Sequence, residues 1–258
     1  MYLNEILMNQ IKKTLIDFIR TETANAGFGK AVIGLSGGVD SALVAFLATE
    51  ALGKANVLAV MMPYKTSSPD SLSDAKLIVD MLGIRYELVD ITTMVDAYLM
   101  KCSEVSPLRK GNIMARQRMI VLYDISAREN AIVVGTSNKT EILLGYGTLF
   151  GDTACGINPI GDLYKTDVWR LAEEVGVPKK IIEKHPTADL WQGQTDEQEL
   201  GFEYKSVDKL LRTMVDEKKN EQELHALGFE KEFITKVQRL IAKNEFKRRT
   251  PLIARLGK

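Results

Sequence analysis

Cysteine, histidine and tryptophan each occur only twice in the 258-residue chain, and net charge is missing altogether, since 34 Lys plus Arg balance 34 Asp plus Glu. Cys102 and Cys155 lie far apart with no CxxC pair, so neither a disulfide framework nor a zinc cluster is indicated. Both are expected to be buried apolar residues, and a reducing cytoplasm suits them. Balanced charge offers no field to collect nucleic acid or an anionic membrane. A protein with small-molecule partners is the expectation. Long apolar runs are also absent: the opening "MYLNEILMNQIKKTLIDFI" is broken by charge every few residues, unlike a signal peptide or a membrane span. Repeats and low-complexity segments are lacking too.

What is present is alternation. Leu3, Ile6, Leu7, Ile11, Leu15, Phe18 and Ile19 recur at helical spacing, with Asn4 as the expected cap, and this helix ends near Gly27. Four short β-rich runs follow, Ala31 to Leu35, Val57 to Met62, Arg85 to Asp90 and Ala131 to Gly135. Helical patterns separate them. One closes at Gly53, one opens at "SSPDS" with Pro69 in its first turn and closes at Gly83, and one runs from Ile113 to Glu129. Strand and helix in alternation predict an α/β fold, a doubly wound parallel sheet in one domain over 1–258, with ligands at the carboxyl ends of the strands. Beyond Gly135 a glycine-rich irregular stretch spans Tyr146 to Leu163. Helices are expected at Thr166 to Gly176 and Pro178 to Lys184, then a long polar loop, "HPTADLWQGQTDEQELG". The C-terminal part reads as helical over Val207 to Glu217, Glu221 to Leu227 and Lys231 to Lys243.

The chemistry is concentrated in "GLSGGVDSALVAFL", Gly34 to Leu47. A loop that leaves a strand and enters a helix gathers main-chain N–H groups and the positive helix end on one spot, which favours an anion. Gly37 and Gly38 let the backbone approach phosphate oxygens, while Ser36 and Ser41 can donate hydroxyls. Asp40 would repel a phosphate unless a cation lay between them, so it implies magnesium. A Walker loop is excluded because no lysine follows Gly38, and "GFGKA" at Gly27 to Ala31 precedes a strand instead of a helix.

"SGGVDS" resembles the PP-loop of the ATP pyrophosphatase superfamily, which implies an adenine nucleotide alpha hydrolase-like, Rossmann-like sheet and cleavage of ATP between its α- and β-phosphates. With "MPYKTSSPDS", "GNIMARQRM", "GTSNKTE", "GDTACGINPIGDLYKTDV" and "PTADLWQGQTDEQELG" in order, nearly the whole chain resembles the ammonia-dependent NAD synthetases. The resemblance implies ATP contacts at Gly34, Leu35, Ser36, Gly37, Gly38, Val39, Asp40, Ser41, Thr136, Lys165 and Thr187. It implies deamido-NAD contacts at Arg116, Asp152 and Lys247. Asp40 and Glu141 would hold Mg2+, and Asp40 and Lys165 would be catalytic. Taken alone, Glu141 is an ordinary first-turn glutamate, and Lys165 and Arg116 are ordinary solvated charges. Leu149, Gly156 and Phe246 depart from the family pattern and carry no role.

The implied reaction joins ammonia to the nicotinate carboxylate of deamido-NAD, with AMP and pyrophosphate released through an adenylated intermediate. The 258 residues have no room for the amidohydrolase domain of glutamine-dependent relatives, so free ammonia is the expected donor unless a separate glutaminase delivers it. A homodimer is implied, with the helix carrying Ile113, Met114, Met119, Ile120 and Leu122 as a contributor or an ordinary core face. Two other readings stand beside this one: a different PP-loop amidating enzyme such as a GMP synthetase ATPase subunit, and a nucleotide sensor that binds ATP without turnover.

Overall fold

β-Branched and small apolar side chains form four parallel strands at the centre of a computed structural model that describes residues 2–186 and 196–256. Strands β1 (Ala31–Gly34), β2 (Val57–Met61), β3 (Arg85–Leu88) and β4 (Ile132–Val134) lie in the order β3-β2-β1-β4. Ile33 sits beside Ala59 on one side and Val134 on the other. The chain moves outward from β1 to β3, then crosses back to place β4 against β1. This reversal opens a crevice at the carboxyl ends of β1 and β4, where such sheets take their ligands.

The helices are α1 (Tyr2–Asn25), α2 (Val39–Leu52), α3 (Pro69–Leu82), α4 (Thr92–Leu99), α5 (Pro107–Glu129), α6 (Lys139–Leu144), α7 (Lys165–Glu174), α8 (Lys179–Ile182), α9 (Asp196–Leu200), α10 (Tyr204–Leu211), α11 (Glu221–Ala226) and α12 (Lys231–Lys243). Strand side chains alternate between two cores, as a two-residue period requires. Ile33, Ala59 and Met61 meet Leu43 and Leu47 of α2 together with residues of α1 and α7. Val32, Leu58 and Val60 meet Met114, Val121 and Ile125 of α5. A third core under the C-terminal helices gathers Tyr204, Val207, Leu211, Ile234 and Val237 around Leu144 of α6.

All four expected strands are present, and each of their ends lies within two residues of its expected place. The helix boundaries shift where local chemistry outweighs periodicity. Helix α1 already runs from Tyr2, so Asn4 lies within it and does not cap it. Helix α5 starts at Pro107 because Ser106 accepts from the Arg109 N–H and proline suits a first turn, well before the apolar periodicity begins. Helices α4, α6 and α9 were not expected, α9 falling at the end of the expected polar loop, and a π-helical turn, Arg212–Asp216, extends α10. The two cysteines are half-buried, not buried. No helix among the described residues is long and apolar enough to cross a membrane.

Candidate active site

Helix α2 follows Gly38 with no side-chain cap, as α4, α7, α8, α10 and α12 also lack one, whereas α3, α5 and α6 are capped by Ser68, Ser106 and Asn138. Its first-turn N–H groups therefore have no cap at the sheet's carboxyl edge, where an anion can satisfy them. The loop in front of it is tightly made. Ser41 Oγ donates to Gly38 O at 3.1 Å and lies 3.1 Å from Ser36 Oγ, while the Ser36 N–H reaches Ser41 Oγ at 3.2 Å. Gly37 has φ +80°, and a Cβ there would stand 2.1 Å from Ser71 O at the start of α3. Replacing Gly37 with alanine must displace that wall as well as strain the loop. We expect Gly37→Ala to fold but to weaken ATP binding at least about tenfold, as measured by calorimetry.

Asn138 joins the loop to β4. Its side chain accepts from the Glu141 N–H at 3.0 Å, its own N–H reaches Glu141 Oε2 at 3.3 Å, and its Nδ2 donates to Asp40 Oδ1 at 2.9 Å. One buried amide thus caps α6 and draws two carboxylates from distant parts of the chain together. Thr140 Oγ1 donates to Asp208 Oδ1 at 2.6 Å and accepts from the Lys165 N–H at 3.0 Å, and the Thr166 N–H reaches Asp208 Oδ2 at 2.8 Å. These bonds seat the start of α7 against α6. The Lys165 ammonium then lies 2.5 Å from Asp40 Oδ2 and 3.5 Å from Glu141 Oε1, with a side chain 3% exposed.

The electrostatics follow from this burial. Desolvation and the Asp40 charge push the Glu141 carboxyl up to about 8. Desolvation alone would depress Lys165, but the Asp40 and Glu141 charges outweigh it and hold the ammonium above the usual lysine range. Two carboxylates that both reach one ammonium nitrogen can both reach one small cation. Burial is the larger cause of the raised Glu141 carboxyl and the facing Asp40 charge the second, and a divalent cation seated between the two carboxylates would offset the latter. Among the described residues no three His, Cys, Asp or Glu side chains form a closed metal set. Oxygen donors from a phosphate ligand and water would complete the shell, as suits magnesium.

Beside this cluster a cavity of about 500 Å³ opens at the ends of β1 and β4, lined by Gly34, Leu35, Ser36, Thr136, Arg118 and Asp152 among others. That volume suits a nucleotide-sized ligand. Asp152 faces the cavity, accepts from the Thr148 N–H at 2.6 Å and is raised by desolvation. Arg116 does not line the cavity; it donates to Leu149 O at 3.2 Å, and Arg118 supplies the guanidinium on the cavity wall. Lys247 also lies outside the wall, where it donates to Gly145 O at 2.7 Å and Gly147 O at 2.9 Å, and burial depresses its ammonium. Thr187 falls outside the described residues.

Asn138, Arg118, Asp196 and Tyr204 also stand in or beside this site, with no role expected of them from the sequence. Asn138 had a readable signal, because "NKTE" is a capping box of the Asn-x-x-Glu kind. The others are brought in by tertiary folding alone.

A parallel sheet reversing at β1 and β4, with an uncapped glycine-rich helix start and a paired Asp–Glu beside it, defines a nucleotide-binding α/β protein of the PP-loop kind. The NAD synthase family model matches residues 11–251. A curated relative from Fusobacterium nucleatum subsp. nucleatum, named NH(3)-dependent NAD(+) synthetase, is 53% identical over 252 residues, spanning 98% of each chain. Among solved structures, an NMN synthetase from Francisella tularensis aligns with TM-score 0.87 at 32% identity, over 96% of this chain and 99% of that one. An NH3-dependent NAD synthetase from Campylobacter jejuni subsp. jejuni, in complex with nitrate, aligns with TM-score 0.83 at 35% identity over the same shares. The chain belongs to the NAD synthase family, a family of ligases.

Proposed function

We propose that the protein amidates deamido-NAD with ammonia at the expense of ATP, giving NAD, AMP and pyrophosphate. One observation carries the reading: the uncapped start of α2, the Asp40–Glu141–Lys165 cluster and the 500 Å³ cavity meet at one end of the sheet. The Gly34 to Ser41 loop binds the two outer phosphates, through main-chain N–H groups of Gly37 and the first turn of α2, and Thr136 shares the cavity wall with Gly34 to Ser36. Asp40 and Glu141 would hold magnesium, which when bound would supply charge neutralisation at the phosphates. Lys165 places a positive charge where negative charge gathers as the nicotinate oxygen attacks the α-phosphorus. The mixed anhydride forms as pyrophosphate leaves, and ammonia then displaces AMP from the carbonyl carbon. Asp152 and Arg118 on the cavity wall orient the acid, with Lys247 and Arg116 bracing the surrounding turns. The protein supplies no nucleophile, so positioning and electrostatics provide the rate.

The reading includes a homodimer in a reducing cytoplasm. Ile120, 55% exposed, and Tyr123 on α5 form the face that a second copy covers, while Met114 is core and Met119 and Leu122 line the cavity. The likeness to the Francisella NMN synthetase supports a second reading, in which the acid is the mononucleotide. Side-by-side assays settle both. Deamido-NAD, ATP and ammonium are expected to give AMP and pyrophosphate, with glutamine inactive in place of ammonium. ADP with orthophosphate would overturn the reaction, and faster turnover of nicotinate mononucleotide would favour the second acid. Turnover of xanthosine monophosphate would favour a GMP synthetase-like enzyme, and ATP binding without turnover a sensor.

A further inference from the structure

Asp196 opens α9 and is buried, yet neither the magnesium pair nor the cavity wall accounts for it. Its Oδ2 accepts from Tyr204 Oη at 3.2 Å, and its Oδ1 lies 3.0 Å from Tyr146 Oη, whose single hydroxyl proton it shares with Glu199 Oε2 at 2.8 Å. Tyr204 is almost fully buried, is braced edge-on by Trp169 at 6.1 Å, and turns its ring face to Lys165, whose ammonium lies 5.3 Å from the ring centre. Asp196 is also a third carboxylate whose charge acts on Lys165, after Asp40 and Glu141. The lysine thus has two anionic surroundings within reach. One is the Asp40–Glu141 pair; the other is the Tyr204 ring face, already 5.3 Å from the ammonium, with Asp196 at the hydroxyl edge of that ring.

These two surroundings face opposite demands. The Asp40–Glu141 pair is the seat assigned above to a divalent cation, and the ammonium now occupies that seat. A cation that enters must displace it, and a buried ammonium moved away from carboxylates without a new partner is costly. A tyrosine face with a carboxylate at its hydroxyl edge offers that partner, through cation–π attraction and charge together. We propose that Asp196 is a positioning residue that gives Lys165 its second station, so that the lysine yields Asp40 and Glu141 to the metal while staying beside the phosphates. This rests on the proposed function and adds the residue that lets Lys165 and the metal coexist.

The test follows metal binding, not turnover alone. Mn2+ would be titrated, with free ion read by electron paramagnetic resonance, into the full chain holding α,β-methylene-ATP. Asp196→Asn keeps the volume but removes the charge, and is expected to weaken Mn2+ binding about tenfold, in line with a nearby buried charge. In the Lys165→Met background, where no ammonium competes for the pair, the same substitution is expected to change Mn2+ binding by less than about twofold. Tyr204→Phe keeps the ring face but removes the hydroxyl that holds Asp196 Oδ2 beside it, and should give a smaller loss with the same dependence on Lys165. Should Asp196→Asn fail to fold, Tyr204→Phe carries the test on its own. Unchanged Mn2+ affinity in the Lys165 background containing native lysine would overturn the proposal, as would a loss of equal size in the Lys165→Met protein, which would mark plain attraction between Asp196 and the metal. Failure of the wild-type chain to release pyrophosphate would instead count against the proposed function.

Discussion

Asp40→Asn is expected to cut turnover by at least about a thousandfold at saturating magnesium, a loss of several kcal/mol of transition-state stabilisation. The isosteric amide keeps its oxygen for Asn138 Nδ2, now at 2.9 Å, so the loop and the α6 cap hold their places. Its amide nitrogen then meets the Lys165 ammonium, 2.5 Å from Oδ2 in the native protein, and donor faces donor. Glu141, 3.5 Å from that ammonium, is left as its ion-pair partner. The melting temperature should fall by a few degrees, because Glu141 still compensates the buried lysine and one broken pair is not total loss. Activity and stability therefore separate. Turnover near the wild-type level would remove Asp40 from the metal site, and global unfolding would make its role structural.

The reason Asp40 was legible in the sequence, and Asp196 was not, lies in the distance over which each is specified. Gly34 to Ser41 is one continuous segment in which strand, glycines and helix start follow from adjacent residues, so the anion seat and its carboxylate can be read together. The same holds for the strands, whose β-branched runs fix both their existence and their alternating faces. Asp196 gains its meaning from Tyr146 and Tyr204, which the fold brings to it from outside any shared motif. Arg116 and Arg118 illustrate a finer limit. Helical spacing alone does not say which turn of α5 faces the crevice, and Ala115, Arg118, Met119 and Leu122 form that face while Arg116 turns to Leu149 O. Helix α6 escaped because it is short, although its capping box stood in plain sequence.

Lys165→Ala should slow formation of the adenylated intermediate by about a hundredfold to a thousandfold, the scale of losing one preorganised charge at a developing oxyanion. Deamido-NAD binding should change far less, because Lys165 stands with Asp40 and Glu141 and does not line the cavity that holds Asp152 and Arg118. Exchange of labelled pyrophosphate into ATP isolates the first step, and calorimetry with deamido-NAD reads the second. The substitution also leaves Asp40 and Glu141 facing each other without the ammonium between them. Glu141, already held up to about 8 beside that ammonium, should then keep its proton more firmly still, since the charge that lowers it is gone. The fold accordingly tolerates the change by protonating one carboxyl, so melting should drop only modestly while exchange collapses. An equal loss in exchange and in dinucleotide binding would mean that Lys165 mainly anchors α7 to α6, a task its backbone N–H already performs through Thr140 Oγ1 at 3.0 Å.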